Sequence, residues 1–150
     1  MILNLNMQNA FKSDLNIGVD IEKAVLDQLK KKFPCAVQIG GKFKDYDIWI
    51  PEIHKSIEVK SDQKSQYTGN FLIECEMYGK PSALLSTKAD YWVIYDGLEY
   101  SWYRPSKILE CVVRTQLTPA RFTSRGDTTQ KLAYLVPVKS LKKYREEGIK

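Results

Sequence analysis

Tyr46-Asp47-Ile48-Trp49-Ile50 and Lys55-Ser56-Ile57-Glu58-Val59-Lys60, joined by Pro51-Glu52-Ile53-His54, decide how this chain is read. Both runs have β character, bounded by turn residues. In the second run Ile57 and Val59 point one way and Glu58 and Lys60 the other, because successive strand side chains alternate. A strand in a small α/β domain usually has both faces covered, yet this one sets a carboxylate beside an ammonium. An exposed edge strand with a cross-face ion pair explains that simply, and Glu-x-Lys alone is frequent by chance. Asp47 likewise interrupts an apolar run, with Asp45, of the same parity, as its register rival.

Working outward, residues 15–33 are expected to form a helix, with Asp14 or Asn16 as N-cap and Pro34 just past its end. At 100° per residue, Glu22, Val25, Leu26, Leu29 and Phe33 share one stripe, extended backwards by Leu15 and Val19. Asp20, Lys23, Asp27, Lys30 and Lys31 make the solvent stripe. Glu22 thus sits on the apolar face, where a carboxylate is costly unless it snorkels out, meets a base or binds a cation. Further β-type runs are Cys35–Ile39 and Asn70–Glu76, with the polar stretch Ser61–Gly69 between the second and the Glu58 strand. Pro81 can open a helix to about Lys88. Tyr91–Tyr95 reads as a buried strand, and Asp96-Gly97 as the turn of a hairpin into Glu99–Tyr103. Ser106 can cap a helix through Val113, Lys131–Val138 reads as a last strand, and Ser140–Glu147 as a short charged helix. The order is α, three or four strands with the first ones a meander, α, then strand. That is α/β.

Composition narrows the chemistry. The 150 residues suit a single domain, 1–150, without repeats or linkers. The net charge of +5 is unevenly spread: residues 101–150 carry 11 basic and 4 acidic side chains, residues 1–100 carry 12 and 14. A basic rear behind an acidic front suits a polyanionic partner, with carboxylates kept for another task. A single histidine, His54, excludes two-histidine mechanisms and multi-histidine zinc sites; it falls in a turn and reads as surface. Three widely spaced cysteines (Cys35, Cys75, Cys111) form no CxxC pair and no disulfide framework, which fits a reducing compartment. The first nine residues break their apolar positions with Asn, so no signal-peptide core is expected. The longest strictly apolar run, Tyr91–Tyr95, is far short of the ~20 residues of a membrane span. The expected setting is cytoplasmic, or that of a phage-encoded protein in its host's cytoplasm. No GxxxxGK[ST] motif is present, which removes P-loop NTPases.

Taken together, a helical Glu on an apolar stripe, an Asp in a strand and Glu-x-Lys in the next strand resemble the PD-(D/E)XK nuclease superfamily. The resemblance covers about residues 17–95 and rests on Glu22, Asp47, Glu58 and Lys60. It implies a restriction-endonuclease-like core, a mixed sheet of αβββαβ order flanked by helices, with the C-terminal strand and helix as additions. It also implies that Asp47 and Glu58 bind Mg²⁺, for which Mn²⁺ can substitute, with the main-chain carbonyl of Val59 as a further ligand. Lys60 then orients or activates the attacking water. Glu22 resembles the first-helix glutamate of Holliday-junction-resolvase-like members and joins the catalytic and metal set. Tyr46, rather than Pro, precedes Asp47, at a position that varies widely in the superfamily. Residues 68–74, Pro81-Ser82 and Ala89-Asp90-Tyr91-Trp92 also look similar to small phage-type members.

The chemistry asks for these residue types. Water attacks phosphorus, a 3′ oxygen leaves, and negative charge grows on the phosphoryl oxygens. Hard oxygen ligands suit Mg²⁺, and a lysine beside the water stabilises the transition state. The expected function is therefore a Mg²⁺-dependent deoxyribonuclease, structure-specific for branched or junction DNA. A non-catalytic nucleic-acid-binding protein on a nuclease-like scaffold is the alternative, and a protein-interaction domain with incidental charges a third class. Lys42, Lys44, Lys64, Arg121 and Arg125 are the expected phosphate contacts, the two arginines flanking Phe122 in a loop at 119–126. Glu74 and Glu76 share a strand face, as outer ligands or as a solvated edge. Cutting two strands is simplest for a homodimer, and the apolar excess around Tyr91–Tyr103 serves either a twofold interface or a buried hairpin.

Overall fold

A computed structural model describes residues 17–42, 44–123 and 129–149, with side chains from Ile21 onward. Asp14, Leu15, Asn16 and Arg125, singled out in the sequence, lie outside the described residues, as do the side chains of Val19 and Asp20. Helix α1 (Ile17–Lys30) is followed by the meander β1 (Val37–Gln38), β2 (Ile48–Ile50) and β3 (Lys55–Ser61). A one-turn α2 (Ser65–Thr68) leads to β4 (Asn70–Met77) and β5 (Lys80–Pro81). The hairpin β6 (Tyr91–Tyr95) and β7 (Tyr100–Tyr103) precedes α3 (Pro105–Arg114). Strands β8 (Ala120–Phe122) and β9 (Lys131–Pro137) and the short α4 (Val138–Leu141) close the chain.

Two sheets result. The first is mixed, in the order β1-β2-β3-β6-β7, with β3 and β6 parallel and the other neighbours antiparallel. The second is antiparallel, in the order β5-β4-β9-β8. Strand β6 is buried along its whole length because both faces of its sheet are covered. Tyr91, Val93 and Tyr95 pack with Ile48, Ile50, Ile57 and the Ile21, Val25, Leu29 stripe of α1. Trp92 and Ile94 pack the other way, against Phe71, Ile73 and Val136 of the second sheet and Ile108, Cys111 and Val112 of α3. The chain is thus mixed α/β with few long helices. Among the described residues no helix is long and apolar enough to cross a membrane.

The structure corrects several expectations. Asn70–Met77 does not join the first sheet but founds the second one, which sequence periodicity did not foresee. No helix runs from Pro81: Tyr78 (φ 52°) and Gly79 (φ 75°) turn β4 back into β5, and Ala83 (φ 41°) lies outside helical space. One 3₁₀ turn, Ala83–Leu85, remains of it. Helix α3 starts at Pro105, whose ring suits the first helical position, rather than being capped by Ser106. The supposed loop at Ala120–Phe122 is the edge strand β8. The charged C-terminal helix shortens to α4 and a 3₁₀ turn, after which Glu146 donates its amide to the Trp102 carbonyl. All residues of Tyr91–Tyr95 and Tyr100–Tyr103 are spent in the interior, so a buried hairpin accounts for the apolar excess there.

The turn between β6 and β7 is held by Asp96. Its Oδ1 accepts the amides of Leu98 (2.8 Å) and Glu99 (2.9 Å), and its Oδ2 accepts from Lys142 Nζ at 3.1 Å. Burial pushes the carboxyl pKa up, but the amide bonds and the Lys142 ammonium outweigh it and hold the pKa below its ordinary value. A depressed carboxyl pKa contributes stability that is present above the unfolded value, here 3.8, and lost as pH falls through the folded one. Urea melts at stepped pH should show a shallower acid decline for Asp96→Ala than for wild type. Parallel declines would remove Asp96 from the account.

Candidate active site

The ladder between β2 and β3 ends at the Ile48–Ile57 pair, and Asp47 lies just before it at the entry to β2. Asp47 donates its amide to the Ile57 carbonyl (2.9 Å), while its carboxylate Oδ2 accepts the Val59 amide at 2.7 Å. The side chain thereby continues the sheet where the backbone leaves it, which explains a nearly buried aspartate at a strand end. It also decides the register: Asp47 is inside, and Asp45 is exposed with Lys88 Nζ 3.8 Å away.

Glu22 reaches the same place from α1. Lys44 Nζ stands 3.1 Å from Glu22 Oε1 and 2.7 Å from Asp47 Oδ1, so one ammonium is shared by two carboxylates. The costly residue on the apolar stripe has met both a base and a second acid. Burial raises the Glu22 pKa, the facing Asp47 carboxyl raises it further, and Lys44 offsets part of this. Burial works against the Lys44 ammonium, yet its bonds to Asp47 and Glu22 win and raise its pKa.

On β3, Glu58 and Lys60 lie in register with Trp92 and Ile94, on the face turned from α1. Lys60 Nζ is 3.1 Å from Glu58 Oε1 and 5.3 Å from the centre of the Trp92 ring. Burial raises the Glu58 pKa, with Lys60 opposing and the Asp47 charge adding to the rise. A cavity of about 220 Å³ opens over this cluster, lined by Lys44, Glu58, Lys60, Thr87, Lys88 and Trp92 among others.

The structure therefore gathers Glu22, Asp47, Glu58 and Lys60, but in two subclusters: Glu22–Lys44–Asp47 and Glu58–Lys60. Among the described residues no three His, Cys, Asp or Glu side chains form one metal-sized group. Val59 enters through its amide, and its side chain packs against the α1 side of the core. Lys44, expected as an outlying phosphate contact, lies inside the cluster; its place three residues before Asp47 was the available signal. Lys42 and Lys64 are exposed and do not line the cavity. Arg121 of β8 is exposed too and borders a separate cavity with Glu76 and Gln130. A register shift between Glu74 and Glu76 separates that pair, and Glu74 Oε2 accepts from Ser82 Oγ at 2.8 Å. His54 is exposed in its turn, with its ring 6.0 Å from that of Trp49.

Sequence periodicity missed two anchors of this end of the fold. Asp90 Oδ2 accepts both the amide (2.8 Å) and the hydroxyl (3.0 Å) of Ser56, tying the start of β6 to β3. Asp62 accepts the amides of Ser65 and Leu72, tying the end of β3 to α2 and β4. Compared with known proteins, the chain matches no family model, no curated protein and no solved structure.

Proposed function

We propose that this chain is a Mg²⁺-dependent deoxyribonuclease of the PD-(D/E)XK kind, built on a restriction-endonuclease-like core and acting on branched or otherwise non-uniform DNA. The observation that carries this reading is the convergence of Asp47, at the entry to β2, on β3 through its bond to the Val59 amide, with Lys60 beside Glu58 on that strand and Glu22 joined to Asp47 through Lys44. Carboxylate oxygens are the donors a hard divalent ion takes, and those of Glu22 and Asp47 gather around the Lys44 ammonium. Among the described residues no three converge in this arrangement, so Lys44 would have to give way for Glu22, Asp47 and Glu58 to share an ion. Glu22, Asp47 and Glu58 would hold the ion, with the Val59 carbonyl as a further oxygen. When bound, Mg²⁺ supplies positive charge and Lewis acidity at the scissile phosphate.

The remaining work falls to the chain's own groups. Lys60, held by Glu58 and lying over Trp92, would donate to the attacking water or to a phosphoryl oxygen. Lys44 bridges the Glu22 and Asp47 carboxylates and would yield their oxygens to a bound ion, and Lys88 adds positive charge at the cavity rim. Cutting both strands of a duplex in one encounter would be simplest with a second copy of the chain.

The test is a panel of linear, single-stranded, flapped and four-way DNA incubated with Mg²⁺ or Mn²⁺. Binding alone across the panel, without cleavage, would favour the scaffold reading. Affinity should also fall steeply with salt, since lysines displace counterions from phosphates. A titration from low to high salt that leaves the affinity unchanged would argue against a DNA partner altogether.

A further inference from the structure

A second cavity, of about 180 Å³, adjoins the one over the carboxylates, and Lys60, Ala83 and Trp92 stand in the walls of both. Its other walls differ in kind. Ile94 and Leu72 make it apolar, Phe122 of the edge strand β8 closes one side, and Glu74 and Lys131 bring polar groups to it. Lys131 Nζ stands 5.8 Å from the centre of the Phe122 ring, as Lys60 Nζ stands 5.3 Å from that of Trp92. Trp92 is buried in the core, so the half-buried Phe122, with Lys131 beside it, is the ring left for a base to stack on.

That combination is the one by which proteins hold single strands: a ring for the base to stack on and a cation for the neighbouring phosphate. The volume lies below the about 300–1,000 Å³ of ordinary small-molecule sites and suits a single ring system. Glu74 Oε1 lies 4.0 Å from Lys131 Nζ and its Oε2 accepts from Ser82 Oγ, so the polar groups at its edge are already partnered and the ring, rather than a base-specific hydrogen bond, carries the recognition.

We infer that this cavity receives one unstacked nucleobase of the strand whose phosphate lies at Glu58 and Lys60. The inference rests on the nuclease reading of the neighbouring cluster and names its substrate class. Bases of a continuous duplex are stacked on both sides and must be extruded at a cost, whereas single strands, flaps, bulges and junctions present them unpaired. The occupied cavity thus selects DNA with an unpaired nucleotide at the cleaved position.

Fluorescence anisotropy with metal chelated tests this apart from catalysis, using a blunt duplex, the same duplex with a one-nucleotide bulge, and that bulge made abasic. Wild-type protein should bind the bulged duplex about tenfold more tightly than the blunt one, the scale of one base stacked on an aromatic ring. The abasic bulge and the Phe122→Ala variant should each erase the preference, and Phe122→Tyr should keep it. An abasic bulge bound as tightly as the intact one, or a preference unchanged in Phe122→Ala, overturns the inference. A nucleoside monophosphate that saturates the Phe122-dependent site at the affinity of the bulged duplex overturns the polymer assignment. Failure of the two readings separates cleanly: base-blind binding with Mg²⁺-dependent cleavage removes the pocket alone, and base-dependent binding without cleavage removes the nuclease alone.

Discussion

Lys60→Ala protein is expected to bind DNA as wild type does and to cleave it about a hundredfold to a thousandfold more slowly, the cost of removing one preorganised electrostatic group. The side chain sits 40% exposed at the cavity, so its loss leaves no hole in the core. On the nuclease reading Glu58→Ala and Asp47→Ala should lose cleavage as fully, because each removes a carboxylate proposed to hold the ion. Either variant can bind DNA more tightly than wild type, since a negative charge next to phosphate is gone. Asp47→Ala also strips the Val59 amide of its acceptor and Lys44 of a partner, so Asp47→Asn, which keeps an acceptor, is the cleaner variant. Glu22→Ala should be milder if Glu22 acts through water, and as severe as the others if it touches the ion. Single-turnover rates on the best DNA of the panel, with melts to certify folding, measure all of this. Wild-type rates in both Lys60→Ala and Glu58→Ala would discard the site.

Divalent ions should raise the melting temperature of the wild-type protein by about 5–10 °C at a hundredfold excess over Kd. The reason is local crowding of like charge. Glu22 and Asp47 face each other around Lys44, and Glu58 is desolvated nearby. The raised carboxyl pKa values of Glu22 and Glu58 mean that their protonation favours the fold, a contribution lost as pH rises through those values. The metal-free protein is then penalised at neutral pH, and the ion's effect should be larger there than near pH 4.5, the ordinary glutamate value. Glu22→Gln should melt higher than wild type without ions, because a half-buried charge is gone, and should respond less to them. Lys44→Met should respond more, because the ammonium that competes for the same oxygens is absent. Scanning fluorimetry with Ca²⁺ and Mg²⁺ reads these shifts. A wild-type melt indifferent to millimolar ions would remove the metal reading.

Local pattern sufficed wherever one physical rule dominated. The two-residue alternation of Lys55–Lys60 placed Glu58 and Lys60 on one face, and the uninterrupted apolarity of Tyr91–Tyr95 marked a buried strand; both stand in the fold as read. The 3.6-residue stripe of α1 likewise set Glu22 among apolar neighbours, and its cost announced that something had to meet it. Residue type and spacing along the chain carried that much.

What lay beyond them was decided by contacts between distant segments. The second sheet exists because β4 finds β9, sixty residues on, and no periodicity within either strand names its partner. The predicted helix after Pro81 gave way to a turn whose positive φ angles satisfy that sheet. Lys44, an unremarkable lysine in a polar stretch, became the shared counterion of Glu22 and Asp47 only once α1 docked on β1 and β3. The cavity between Trp92 and Phe122 has walls from both sheets and so exists in neither alone. A chain's own order records which groups are costly to bury; which groups relieve that cost is fixed by packing, because charges and hydrogen bonds act over a few ångströms of space and not along the sequence.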